Sequence, residues 1–212
     1  MDFEIETTLS KVLDELIAIK NDRALGVLGG AVLDDYLGHS FASKWRQIKP
    51  GEPPKGTQRK DGTKDPIKDE NDRTEEAFRQ FIREGGGALT FGLKIELAYL
   101  THLIGPKAHS DFVIIKEVRN KFAHMTLMDN NALSDEPVTF KTQEIAMLCN
   151  RLDIVKQMQL PGPQQLSLTI DGKMLSTTTA QDKFLAAVIT YASTLLACTH
   201  DPAASVKVLL DR

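Results

Sequence analysis

Apolar residues recur every three or four positions over most of the 212-residue chain, which is the spacing of one face of an α-helix. The pattern is present in seven segments, at 8–20, 22–45, 74–83, 91–104, 106–127, 143–156 and 179–198. Leu166, Leu168 and Ile170 alternate with polar residues ahead of Asp171-Gly172, the pattern of a small β-hairpin. The sequence therefore predicts an all-α protein, a bundle of six or seven helices with at most one small hairpin.

Residue types that favour helix ends lie at several of these boundaries. The candidates are Asn21 or Asp22, Thr90, Pro106 after Gly105, Thr142 and, as a capping box, Thr178 with Gln181. Within the second helix, the pair Gly29-Gly30 costs roughly 1 kcal/mol per glycine relative to alanine. Close approach of a neighbouring helix would compensate for that cost, so the pair predicts a tight contact between helices.

Residues 46–73 interrupt the helical pattern with seven prolines and glycines and almost no apolar residues. Over 44–73, nine basic minus six acidic residues give a net charge of +3. Two interpretations fit this composition, a flexible excursion from the helical body or a flexible basic arm that contacts nucleic acid. We predict one domain, 1–212, with 46–73 as a flexible polar insertion and a hinge at the glycines 85–87.

Composition and charge limit the classes of protein to which the chain can belong. Hydrophobic residues make up 42% and charged residues 26%, as in globular proteins, and the net charge of −3 argues against a globally basic nucleic-acid binder. The acidic N-terminus is unlike a secretory signal, and no apolar run reaches the roughly 18 residues of a membrane span. We expect a cytoplasmic protein with no membrane association, in which Cys149 and Cys198 are buried thiols.

Four of the five histidines are scattered along the chain and show no spacing typical of a metal site. His39, His102, His109 and His200 lie in no HExxH or paired-cysteine context. The glycines at 85–87 lack the lysine and hydroxyl residue of a phosphate-binding loop. The sequence therefore predicts neither a metal nor a cofactor.

The segment Arg119-Asn120-Lys121-Phe122-Ala123-His124 is the strongest chemical motif of the chain. Residues four apart share a helix face, so Asn120 and His124 project together, and the long side chain of Arg119 can swing toward that surface. Imidazole titrates near neutral pH and can take a proton from a ribose 2′-hydroxyl, while a guanidinium stabilises a developing pentavalent phosphate. The alternative is structural, with His124 packing and Arg119 pairing with a carboxylate, the candidates being Glu117, Asp34 and Asp35.

This motif, late on a long helix of an all-helical domain, resembles the catalytic motif of the HEPN superfamily. Many HEPN proteins are metal-independent endoribonucleases of toxin–antitoxin and phage-defence systems, and they usually act as dimers. The resemblance implies that Arg119 and His124 are the catalytic pair and that Asn120 is the supporting polar residue. It also implies that two-fold pairing places both copies of the motif in one cleft.

A second resemblance covers roughly residues 22–150. The segments 22–37 (DRALGVLGGAVLDDYL), 91–100 (FGLKIELAYL) and 115–124 (IKEVRNKFAH) are similar, in this order, to segments of mannitol-repressor (MltR)-like proteins. That family is all-helical, lacks a familiar DNA-reading motif and is associated with transcriptional regulation of mannitol uptake. The resemblance implies a helical regulatory module.

Together these features predict a metal-independent endoribonuclease that cleaves RNA by 2′-hydroxyl transesterification, as a toxin or defence effector. Arg119, Asn120 and His124 are its predicted catalytic residues, RNA its predicted substrate, and a second copy of the chain and an antitoxin or regulatory protein its predicted partners. The alternative is a non-catalytic MltR-like transcriptional regulator or protein-interaction module. Catalysis requires Arg119 and His124 to be accessible in a cleft, whereas a regulator permits both to be buried.

Overall fold

The computed structural model describes the parts of the chain that form the helical body. The described residues are 11–45, 89–124, 138–159, 169–170, 173–174 and 177–200. The predicted insertion 46–73, the predicted helix 74–83 and the glycines 85–87 lie outside them.

Seven helices and one short antiparallel ladder are present among these residues. The helices are α1 (11–18), α2 (Asp22–Trp45), α3 (Phe91–Leu100), α4 (Pro106–His124), α5 (Gln143–Asn150), α6 (Asp153–Gln159) and α7 (Ala180–His200). The strands are β1 (Thr169–Ile170) and β2 (Lys173–Met174). The all-α prediction is confirmed, and no described helix has both the length and the apolar character needed to cross a membrane.

α2 and α7 form the central helix pair of one hydrophobic core. α2 also packs against α3 and α4, and α7 also packs against α5 and α6. The buried side chains that the central pair contributes include Leu25, Leu33, Leu37, Phe184, Val188, Tyr191 and Leu195. Their spacing of three to four residues is that of a helix face turned to a core.

Glycines in α2 allow its neighbours to approach closely. A Cβ atom on Gly29 would lie 2.8 Å from Cε1 of Phe184 in α7, and a Cβ on Gly26 would overlap the ring of Phe122 in α4. Both separations are shorter than van der Waals contact allows, so neither position accommodates a side chain. The tight helix contact that Gly29-Gly30 predicted is confirmed.

α3 ends at Leu100, four residues before its predicted end. His102 adopts a φ of 55°, in the left-handed region, and its N–H donates to the Tyr99 carbonyl at 3.0 Å. The N–H of Leu103 donates to the Ala98 carbonyl at 2.8 Å. These two bonds form a Schellman motif, which ends a helix. The predicted end was wrong because the apolar residues after His102 are buried in this turn rather than in the helix.

The predicted helix 143–156 is two helices, α5 and α6. The break is stabilised by the buried carboxylate of Asp111 in α4, which accepts the N–H groups of Asp153 at 2.7 Å and Ile154 at 2.9 Å. The hydroxyl of Tyr191 in α7 donates to the same carboxylate at 2.7 Å. Burial raises the pKa of the Asp111 carboxyl, and these hydrogen bonds act in the opposite direction. Asp111 therefore joins α4, α6 and α7 through one buried group.

The predicted starts of α2, α3 and α4 are confirmed. Oδ1 of Asn21 accepts the N–H of Ala24 at 2.8 Å, and Oγ1 of Thr90 accepts the N–H of Leu93 at 3.3 Å. Pro106 is the first residue of α4, where its missing N–H costs no hydrogen bond.

The predicted caps of α5 and α7 require correction. Thr142 precedes α5, but its hydroxyl accepts the N–H of Thr139 at 3.1 Å and makes no cap bond to the helix. The capping box of α7 is Thr179 with Asp182, one residue later than predicted. There the Asp182 carboxylate accepts the Thr179 N–H at 3.0 Å, and the Thr179 hydroxyl accepts the Asp182 N–H at 3.1 Å.

The strands β1 and β2 form the predicted hairpin ladder. Thr169 pairs with Met174, and Ile170 pairs with Lys173, in antiparallel register. The intervening Asp171-Gly172 lies outside the described residues. The ladder is only two residues long on each side, so the helices carry the fold.

Both cysteines are buried thiols, as predicted. Burial raises the pKa of the Cys149 thiol to about 12, because desolvation disfavours the thiolate. Cys149 therefore acts as a small apolar residue of the core.

Replacing Asp111 should destabilise the fold far more than replacing an exposed acid. Asp111→Ala leaves two backbone N–H groups and the Tyr191 hydroxyl without their acceptor, so the free energy of unfolding should fall by roughly 2–4 kcal/mol. Tyr191→Phe removes only one of the three donors and should cost about 1 kcal/mol. Urea denaturation measures both. Asp14→Ala, at an exposed position of α1, is the control, and an equal effect of Asp14→Ala and Asp111→Ala would contradict the assignment.

Candidate functional site

α4 carries the predicted motif and turns one face to the core. Its buried residues are Ala108, Asp111, Phe112, Ile114, Ile115, Val118 and Phe122. Phe122 packs against the ring of Phe140 with 5.0 Å between ring centroids. Because these anchors fix the rotation of α4 about its axis, they decide which of its other side chains face outward.

An open groove of about 490 Å³ lies along the outer face of α4. Six of the described residues line it: Val113, Lys116, Glu117, Asn120, Lys121 and His124. Asn120 and His124 are both exposed and share this groove, as the helical spacing predicted. Neither side chain has a hydrogen-bond or ion-pair partner among the described residues.

Arg119 lies on a different side of α4 from the groove. Adjacent residues of a helix point about 100° apart, and the Arg119 side chain is turned toward α2 and α3. Its Nη1 lies 3.6 Å from Oδ2 of Asp34, and its guanidinium carbon lies 5.7 Å from the centroid of the Phe91 ring. The side chain is 29% exposed. The structure therefore brings Asn120 and His124 together and leaves Arg119 out of their groove.

The carboxylate of Asp34 is shared by two cations. Nζ of Lys94 in α3 lies 2.6 Å from Oδ1 of Asp34, while Arg119 in α4 faces the other oxygen. The Asp34 and Lys94 side chains are 22% and 13% exposed, so this cluster is only partly hydrated. The pairing with Asp34 is one that the sequence offered as the structural role of Arg119. It ties α2, α3 and α4 together.

Gly30 of α2 provides the space for the stem of Arg119. A Cβ on Gly30 would lie 2.5 Å from Cδ and 2.8 Å from Cβ of Arg119. The arginine stem therefore lies flat against the α2 backbone, with its guanidinium at the edge of the helix pair.

The two lysines of the groove differ in their partners. Nζ of Lys121 lies 2.5 Å from Oε1 of Glu144 in α5, so its charge is compensated. Lys116 has no acidic partner within 4 Å in the described parts of the chain. Glu117 also lines the groove and reduces its net positive charge. Among the described residues, Lys116 is thus the cation of the groove that no ion pair compensates.

Lys116 was missed by reading the sequence, although the information was present. Lys116, Asn120 and His124 are spaced four residues apart, so they form one stripe on α4. The motif begins at Arg119, whereas the helical period extends one turn further, to Lys116. An ammonium, an amide and an imidazole on one exposed stripe can bind an anion and transfer a proton.

His39 and His109 lie away from this stripe. Nε2 of His39 lies 3.5 Å from a carboxylate oxygen of Asp35 within α2. Nε2 of His109 lies 3.2 Å from Oε1 of Glu96, and its ring lies 4.6 Å from that of Tyr99. His124 is therefore the histidine that the groove presents to solvent.

Comparison with models of known families gives no match for this chain, and comparisons with curated proteins and with solved structures give none either. The resemblances to the HEPN and mannitol-repressor-like families therefore stay predictions. A proposal of function therefore depends on the geometry of α4 and on the segments 22–37, 91–100 and 115–124.

Adding a methyl group at Gly30 should destabilise the protein. In Gly30→Ala the new Cβ collides with the stem of Arg119 close to its own backbone, so the helices must separate, at a cost of about 1–3 kcal/mol of unfolding free energy. Gly92→Ala is the matched control, because its Cβ would meet nothing nearer than Nζ of Lys116 at 3.4 Å. Thermal denaturation compares the two, and a Gly30→Ala protein as stable as Gly92→Ala would contradict the contact.

Proposed function

We propose that this protein cleaves RNA without a metal ion, by attack of a ribose 2′-hydroxyl on the adjacent phosphate. The single observation that supports this function best is the exposed stripe on α4, where Asn120 and His124 share one groove and neither is bound by another described side chain. A general base must be free to contact substrate, and within the described residues His124 is exposed and has no hydrogen-bond or ion-pair partner. The HEPN resemblance of the same residues agrees with this choice.

In the proposed reaction His124 is the general base. Its neutral imidazole takes the proton of the 2′-hydroxyl while the 2′-oxygen forms a bond to phosphorus. The bond from phosphorus to the 5′-oxygen then breaks, the 5′-oxygen takes a proton from water, and the hydroxide formed takes the proton from His124. The products are a 2′,3′-cyclic phosphate and a 5′-hydroxyl. The Asn120 amide, one helical turn before His124, donates a hydrogen bond to a phosphate oxygen or orients the imidazole.

We assign Arg119 to holding α4 in place. Its guanidinium faces Asp34 and the Phe91 ring rather than the groove. In this role Arg119 keeps the outer stripe of α4 in a fixed rotation, so its contribution to the reaction is indirect. This differs from the phosphate-clamping role that the HEPN resemblance implies for the same residue.

A second copy of the chain is the proposed partner at the groove. Every described residue that lines it belongs to α4, and Asn120 and His124 are exposed there. A two-fold related copy facing it would bring two His124 side chains into one cleft, the arrangement that the HEPN resemblance implies. An antitoxin that covers the same groove would block it.

The second candidate is a non-catalytic regulatory or protein-interaction module of the MltR-like type. The observation that favours it is an apolar stripe on α3, where Leu100 is 70% and Leu93 is 43% exposed. Leu97 lies between them at helical spacing and is partly exposed. Exposed apolar surface of this kind is typical of sites that bind another protein.

Cleavage of labelled total RNA in the presence of EDTA tests the first candidate. His124→Ala should reduce the rate by about 100-fold or more, because a positioned general base contributes that much to proton transfer. Asn120→Ala should reduce it less, because the amide only positions other groups. The products should carry 2′,3′-cyclic phosphate ends.

His109→Ala is the matched control, since His109 lies on the same helix but pairs with Glu96 outside the groove. Its cleavage rate should equal that of the wild type. A folded wild-type protein that cleaves no class of RNA would exclude the ribonuclease and leave the interaction module, whereas cleavage that survives His124→Ala would exclude His124 as the general base.

A further inference from the structure

The three lysines of α4 have different surroundings. Lys107 is exposed in the first turn, far along the helix from the groove. Lys121 is neutralised by Glu144. Lys116 lines the groove and has no acidic partner among the described residues. Its ammonium rests over Gly92 of α3, at a distance of 3.4 Å from where a Cβ would lie. An ammonium that lines an open groove and has no ion pair with a described residue is suited to binding a phosphate.

The position of Lys116 decides which phosphate it can reach. A helix rises about 1.5 Å per residue, so Lys116 lies roughly 6 Å from Asn120 and roughly 12 Å from His124 along the axis. It is therefore too far from His124 to share the phosphate at which the imidazole acts. An extended strand that runs along the stripe would bring a neighbouring phosphate to Lys116.

We propose that Lys116 binds a backbone phosphate that flanks the cleaved one, and so holds single-stranded RNA along α4. This inference rests on the proposed function and assigns the substrate-binding residue of the same groove. A single strand fits the geometry because the described residues that line the groove follow the length of one helix. Proteins that bind single strands without sequence preference use a positively charged groove that follows the backbone.

Glu117 weakens the attraction of this surface for phosphate. Its carboxylate lines the same groove, and no ion pair with a described cation compensates it. A negative group beside the phosphate path lowers affinity, so removing it should strengthen binding. Lys116 and Glu117 therefore have opposite effects on the same measurement.

The test uses a fluorescent single-stranded 2′-O-methyl RNA, which lacks the attacking hydroxyl and cannot be cleaved. Fluorescence anisotropy gives its affinity for the full-length protein over a series of salt concentrations. One phosphate contact on a single strand contributes about 0.7 to the slope of log affinity against log salt, which is about fivefold in affinity at 0.1 M salt. Lys116→Gln should lose that contribution, and Glu117→Gln should bind more tightly than the wild type.

Lys107→Gln is the matched control, an equal loss of charge on the same helix outside the groove. Equal affinity of Lys116→Gln and Lys107→Gln, or no binding of the probe by the wild type, would overturn the inference. If the probe binds through Lys116 but no natural RNA is cleaved, the ribonuclease proposal fails while the phosphate site stands. If RNA is cleaved, Lys116→Gln should raise KM about fivefold and leave kcat unchanged, because Lys116 does not contact the reacting phosphate.

Discussion

The close contact of α2 with α4 and α7, at three glycines of α2, is the constraint on which the rest of the structure depends. Phe122 lies against Gly26, Phe184 against Gly29 and Arg119 against Gly30. Because two of these three contacts are made by α4, they fix both the distance of α4 from the core and its rotation. The glycines cost helix stability in isolation, and the packing that they permit offsets that cost.

Once the rotation of α4 is fixed, its motif divides into two parts. Arg119 and Phe122 face α2, whereas Asn120 and His124 face outward into the groove. The division follows from helix geometry alone, since residues one apart point about 100° away from each other. The motif looks like one cluster in the sequence. In the structure Arg119 faces inward and supports the fold, whereas Asn120 and His124 face an open groove.

The helices were predictable because apolar residues recur at helical spacing within each segment and over many residues. Their ends were less predictable, because several depend on contacts that the sequence does not display. The break between α5 and α6 is stabilised by Asp111, some forty residues away in the chain, and nothing near the break indicates it. The early end of α3 depends on His102, whose backbone is in the left-handed region. Glycine is the usual residue at this position after a helix, so a histidine there does not indicate a helix end.

The site was predictable to the same extent and for the same reason. That Asn120 and His124 share a face is a consequence of helical spacing, and the structure confirms it. The position of Arg119 depends on Asp34 and Phe91, which lie in other helices, so spacing could only offer its pairing as one of several alternatives. Helical spacing places Lys116 on the same stripe, but it does not show which cations of α4 form ion pairs. Lys121 and Arg119 pair with carboxylates of other helices, and only the structure displays those contacts.

The division of the α4 motif into an inward and an outward part depends on Arg119 being held by Asp34. A double-mutant cycle measures the coupling energy of that ion pair directly. The unfolding free energies of wild type, Asp34→Asn, Arg119→Gln and the double variant give the coupling between the two side chains. A partly buried ion pair predicts a favourable coupling of about 1 kcal/mol. Additive effects, with no coupling beyond about 0.3 kcal/mol, would contradict the account, because Arg119 would then be free to act in the groove.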